Sequence, residues 1–285
     1  MAGKFARSWN LMKASAAVLR SDKSLLMFPL LSGLCCLLVA ASFLIPIGLA
    51  AMGAEHAGVS ERGLSVGAYA ALFVFYLVQY FVIFFFNTAL AGAALMRLRG
   101  EPTSFAAGFD IAKSRVVSIF GYALIAATVG LVLRALQERL GFIGRLVVGM
   151  LGLAWTVATF LVVPVLASQD IGPVDAVKRS VELLKQTWGE NLIGNAGIGV
   201  VFGLVMFIAA LVSAALIFGA VSTQSAVAIV AAFAVVIVGL TLLGLIQASL
   251  QGIYAAALYQ YAEEGMVGGG FDQAVLEQAF RPKQK

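Results

Sequence analysis

Few side chains in this sequence are of a kind that can do chemistry, and their spacing argues against most reactions. The one histidine, His56, stands in "GAEHAGVSERG" with Glu55 and Glu61 nearby. A metal takes three or four ligands, usually at helical or hairpin spacing. These three sit in a glycine-bearing connection and read as part of a solvated loop. Glu263 and Glu264 are adjacent, so they point to different helix faces and cannot easily share a proton. They close an apolar run beside Tyr254, Tyr259 and Tyr261, as a solvated helix end with an aromatic belt would. Cys35 and Cys36 are neighbours inside another apolar run. Adjacent cysteines rarely close a disulfide and two thiols make a poor metal site, so they read as small packing residues. There is no phosphate-binding glycine loop, dinucleotide fingerprint or Gly-x-Ser-x-Gly. The expectation is therefore of no catalytic, cofactor-binding or metal-binding residue, and of a protein that is not an enzyme.

What remains at lipid depth are amides and hydroxyls: Gln79, Asn87, Thr88, Thr156, Thr159, Asn195, Gln247 and Gln251. Such groups act mostly as glue between helices, worth about 0.6 kcal/mol each, and otherwise line a ligand or pore site. Gln247, Gln251, Tyr254 and Leu258 share one helix face, and Asn87, Ala91 and Ala94 make a polar-to-small stripe. An amide facing lipid lacks partners, so both faces are expected to turn toward protein. No Asp, Glu, Lys or His lies well inside an apolar run, which argues against an ion-coupled transporter. Gly199 and Gly203 form a small-xxx-small pair, expected to admit another helix of the same chain or of a second copy.

The elements that must position these residues follow from composition. The chain of 285 residues is 61% hydrophobic and 12% charged, where a soluble domain carries about 25% charge. Apolar runs fall near 24–52, 67–96, 116–136, 143–168, 191–220 and 226–262. Each is long enough for a membrane helix and none alternates as barrel strands do. The first run is far longer than the core of a cleaved leader and is expected to be a span. Three short connections lie on one side, with Arg62, Arg134, Arg139 and Arg145 as their 4 basic residues. The termini and the segments 97–115 and 169–190 lie on the other and carry 15. The positive-inside rule then places both termini in the cytosol. The net charge of +5 is scattered over these short segments, which fits anionic headgroups and not nucleic acid.

The segment "GPVDAVKRSVELLKQTWGEN", residues 172–191, is a polar island between apolar runs. Val174, Val177, Val181, Leu184 and Trp188 fall on one helical stripe, opposite Asp175, Lys178, Arg179, Glu182 and Lys185. The N-terminus shows a similar stripe from Phe5 and Trp9, and the middle segment one from Phe105, Phe109, Ala112 and Val116. "FARSWNLMK", "FAAGFDIAK" and "VKRSVELLK" align, with Lys13, Lys113 and Lys185 coinciding. The tail, with Phe271 and Asp272 after a glycine run, echoes the pattern. The expected architecture is thus all-α integral membrane, one membrane domain over 1–285. Six transmembrane helices form three hairpins, each preceded by a cytosolic amphipathic helix. The parallel repeat units are approximately 1–98, 99–169 and 170–262, with a cytosolic tail over 263–285. Trp9, Lys13, Phe109, Lys113, Lys178, Arg179, Lys185 and Trp188 are the expected lipid-headgroup and interface residues. Gln79, Asn87, Gln247 and Gln251 are the intramembrane polar set.

The "DKSLLMFPLL" entry into the first run, the island, and the "YAEEG…GGGFDQAVLEQAFRPK" ending together resemble an uncharacterised bacterial family of six-helix integral membrane proteins. More distantly, the island is similar to those in the membrane domain of glycerophosphodiester phosphodiesterases. The resemblance implies an architecture in the bacterial inner membrane and no established activity. Two functions stay open: a non-catalytic protein that binds lipid, organises the bilayer or assembles with partners, including copies of itself; or a channel or passive transporter with a pore at the repeat axis or between protomers.

Overall fold

The computed structural model describes residues 13–56, 66–188 and 197–265, and every regular element among them is helical. Helix α1 covers 13–21, followed by a 3-10 turn, η1 (Lys23–Leu26), and α2 (Met27–His56). Then come α3 (Val66–Leu98), the short α4 (Phe105–Ser114), α5 (Val116–Arg139), α6 (Phe142–Ala158), α7 (Val162–Ser168), α8 (Pro173–Trp188), α9 (Gly197–Ser222) and α10 (Ala226–Glu264). Six stretches are long and apolar enough to cross a membrane: Lys23–Ile47, Ala70–Leu98, Val116–Arg139, Phe142–Ser168, Gly203–Ser222 and Ala226–Glu264. Their outer faces carry side chains such as Leu37, Phe142 and Val227, exposed by 69%, 86% and 80%. That surface matches hydrocarbon and would be unfavourable in water. The chain is a multi-pass membrane protein.

The fourth apolar run is not one helix. It breaks between α6 and α7 at Thr159–Leu161, and the sequence cause is Pro164. Proline has no N–H, and its ring collides with the carbonyl four residues back, here that of Phe160. A break at this depth frees backbone groups that lipid cannot satisfy. Ser180, on α8, meets two of them: its hydroxyl donates to the Ala158 carbonyl at 2.7 Å and accepts from the Leu161 N–H at 3.1 Å.

The chain divides into two compact units. The unit of Met27–Ala93 and Thr103–Leu183 is held by aromatic contacts and close helix approach. Phe84 meets Tyr122 at 4.5 Å and Phe43 meets Phe75 at 5.4 Å between ring centroids. Helix α4 starts at Ser104, whose hydroxyl accepts from the Ala107 N–H at 3.1 Å. It then lies so close to α3 that a Cβ on Gly108 would come within 2.7 Å of the Ala89 carbonyl oxygen. In the unit of Met1–Leu26, Ala94–Pro102 and Leu184–Lys285, α9 packs on α10, and α10 also packs on η1. Arg99 and Glu264 form an ion pair there, and Arg97 Nε donates to Ser21 Oγ at 3.2 Å. Gly265, at φ +65°, closes α10 in the left-handed region that suits glycine.

Helix α10 has 39 residues, about 58 Å at 1.5 Å per residue. Its exposure changes along its length. From Ala226 to Ala248 it is exposed or half-buried throughout, whereas nine of the residues from Ser249 to Gln260 are buried, Ile253 and Ala256 fully. The first part, 23 residues or about 35 Å, is close to the hydrocarbon thickness of about 30 Å.

Candidate functional site

The candidate site is the end of the first unit at which α4 and α8 meet the start of α5. Arg115, between α4 and α5, forms an ion pair with Asp170 just ahead of α8. One turn on, Ser118 Oγ donates to the Ile171 carbonyl at 2.9 Å. A further turn on, a Cβ on Gly121 would come within 2.7 Å of Pro173 Cγ, so only glycine lets α8 begin this close to α5. At the same end, Phe28 at the start of α2 stacks on Phe105 of α4 at 4.9 Å.

Helix α8 differs from the expected stripe in a way that matters. Its buried face consists of Ala176, Ser180, Leu183 and Leu184. Of the expected apolar stripe Leu184 is buried, but Val174 is 54% exposed and Val177 and Val181 are half-buried, so the buried face is turned by about a quarter-turn from that stripe. Ala176 and Ser180 share the protein side with Leu183 and Leu184, and Ser180 thereby reaches the α6–α7 break. The helix therefore has three faces: one on protein, a valine one left over, and a charged one.

On the charged face, Lys178 pairs with Asp175 at 3.1 Å and Arg179 with Glu182 at 3.2 Å. Such exposed i,i+3 pairs contribute little to stability. Lys185 and, on α4, Lys113 are exposed and join no ion pair among the described residues. Each is an ammonium group of the kind that suits phosphate, while Lys178 and Arg179 are balanced within α8 itself.

The other predicted residues are distributed as follows. Phe109 is half-buried against Phe85 at 5.2 Å and Phe105 at 5.9 Å, so it packs within its unit. Lys13 is exposed on α1. Trp9 and the tail with Phe271 lie outside the described residues, as do the side chains of Trp188 and His56 and the surroundings of Gly199. Gln79 donates its amide to the Cys36 carbonyl at 3.1 Å, joining α2 to α3 as glue. Asn87 and Gln247 are half-buried, but Gln251 is exposed, so the expectation that both α10 amides turn toward protein is not met within this chain. Buried Leu250, Ile253 and Tyr254 show that the protein-facing side of α10 lies beside Gln251 and not through it. An added Cβ at Gly203 meets nothing within 4 Å, so no described residue makes the close helix approach expected there. Sequence reasoning missed Ser180 altogether. Its only signal was Pro164 inside an apolar run, which marks a break without naming the residue that satisfies it.

Among the described residues, no group of three His, Cys, Asp or Glu side chains is placed to hold a metal. A family model described as a family of unknown function (DUF6159) matches residues 66–270, well over half of the chain. The chain belongs to this family. The matched region of this DUF6159 member begins at α3 and takes in both α4 and α8. No curated protein matches the chain. The distant likeness to glycerophosphodiester phosphodiesterases finds no support in these comparisons.

Proposed function

We propose that this is a non-catalytic protein of the bacterial inner membrane that binds anionic lipid at its cytosolic face and orders the bilayer there. In this reading α1, α4 and α8 are the amphipathic helices of a threefold parallel repeat, both termini are cytosolic, and α4 and α8 lie at the headgroup level. The observation that carries the reading is the three-sided α8. A helix docked by Ala176, Ser180 and Leu183 that still presents Val174 to its surroundings, beside Lys178 and Lys185, has the make-up of an interfacial helix. Lys113 and Lys185 are the cations free to meet headgroup phosphates, each worth about 1 kcal/mol near an anionic surface. A pore lined by amides draws less support, since Gln79 is engaged with Cys36 and Gln251 points away from the buried side of α10.

Purification of the full chain in mild detergent, followed by native mass spectrometry, tests this reading. The wild type should retain several molecules of phosphatidylglycerol or cardiolipin per chain in preference to phosphatidylethanolamine, and Lys113→Gln with Lys185→Gln should lower that number without loss of helix. Equal retention of all three lipids by both proteins would refute it.

A further inference from the structure

The turn of the α5–α6 hairpin carries a second feature, at the opposite end of α5 from α4. A narrow groove of about 190 Å³ runs between Tyr76 and Tyr80 of α3 and Ala127, Gly130, Leu131 and Arg134 of α5. It adjoins a wider hollow of about 480 Å³ lined by Arg134, Gln137, Glu138 and Arg145. Arg134 borders both, so the two spaces form a polar mouth and an apolar channel.

The mouth is built to hold an anion. Arg134 is oriented by two bonds: Nη1 donates to the Tyr76 hydroxyl at 2.7 Å and Nε to Glu138 Oε1 at 3.1 Å. A guanidinium carries five N–H donors, so three are left for a ligand. Arg145 Nε donates to the Leu140 carbonyl at 3.2 Å, which fixes its fork at the same rim. Among the described residues Glu138 is the only acid lining the hollow, against Arg134 and Arg145, so this lining is net positive. The forks of two arginines suit phosphate oxygens.

The channel is built for hydrocarbon. Its walls are tyrosine rings, Ala127 and Leu131, and its floor is open at Gly130. A Cβ there would stand 3.4 Å from the Tyr80 hydroxyl, so any larger side chain closes the groove. From Arg134 to Ala127 is seven residues, about 10.5 Å along the helix, enough for a good part of an acyl chain. An anion alone would use only the mouth, and an apolar ligand only the channel.

We infer that this hairpin end binds one anionic glycerophospholipid, its phosphate between Arg134 and Arg145 and one acyl chain along Tyr80, Gly130 and Leu131. The site does not depend on α4 or α8. It is tested by native mass spectrometry of the full chain titrated with dioleoylphosphatidylglycerol, dioleoylphosphatidylcholine or inorganic phosphate. The wild type should hold one phosphatidylglycerol that survives Lys113→Gln/Lys185→Gln, and phosphatidylcholine should bind at least tenfold more weakly. Arg145→Gln, which breaks no ion pair among the described residues, should weaken phosphatidylglycerol at least tenfold. Gly130→Leu should do the same with both arginines intact. Retention unchanged in Arg145→Gln or in Gly130→Leu overturns the inference, as does phosphatidylcholine binding equally well. Displacement of the lipid by millimolar inorganic phosphate overturns it in favour of a free-anion site.

Discussion

Ser180→Ala should be among the most damaging single-atom deletions in this protein. The hydroxyl serves both sides of the α6–α7 break, and no helical neighbour can replace it. Ser180 is 0% exposed and Leu161 1%, so the Leu161 N–H would be left buried without a partner. An orphaned buried donor costs about 1–3 kcal/mol. The Ala158 carbonyl, in a half-buried residue, adds about 0.5–1 kcal/mol. The sum is about 1.5–4 kcal/mol, roughly 10- to 900-fold in the folding equilibrium. The fitting control is Ser213→Ala. Ser213 Oγ donates at 2.7 Å to the Ala209 carbonyl four residues back in its own helix, so its loss should stay within about 0.5 kcal/mol. The assay is unfolding of the full chain in mixed micelles by increasing SDS, followed by circular dichroism. If Ser180→Ala unfolds within 0.5 kcal/mol of the wild type, the break is not held by this serine and the account of α8's orientation fails with it.

Gly108→Ala should destabilise by about 1–3 kcal/mol in the same assay, because its Cβ meets the Ala89 carbonyl and Phe28 at 2.7 Å and overpacking outweighs the gain in helix propensity. Gly203→Ala, whose Cβ meets nothing, should be neutral or stabilising by up to about 1 kcal/mol; a fall in oligomer mass instead would reveal a contact with a second copy. A cysteine at position 57 should react with an impermeant thiol reagent in intact cells and one at position 283 should not, given 15 basic residues against 4. The reverse labelling would invert the membrane orientation.

The sequence made the apolar helices legible because lipid demands unbroken apolar length, a signal that needs no tertiary context. The helices at Phe105–Ser114 and Pro173–Trp188 were legible from their charge and period. The rotation of α8 was not. Period fixes where the valines stand, but burial went to Ala176 and Ser180 with Leu183 and Leu184, and Ser180 thereby reaches the neighbouring break. Gln251 misled for a related reason: its spacing puts it on a face with Gln247, but burial in this part of α10 went to Leu250, Ile253 and Tyr254 beside it. The Arg134–Tyr76 contact joins residues 58 apart, and no local pattern announces it.

The most direct test of the central claim is the environment of α8. Single spin labels placed at Val174, Val181 and Arg179 of the full chain in anionic nanodiscs would be compared for collision with oxygen and with a water-soluble nickel chelate; Arg179 stands on the opposite side of the helix from both valines. The labels at Val174 and Val181 should favour oxygen strongly while that at Arg179 favours the nickel chelate. A label at Val174 as open to the nickel chelate as that at Arg179 would place α8 in water and contradict the lipid-facing role.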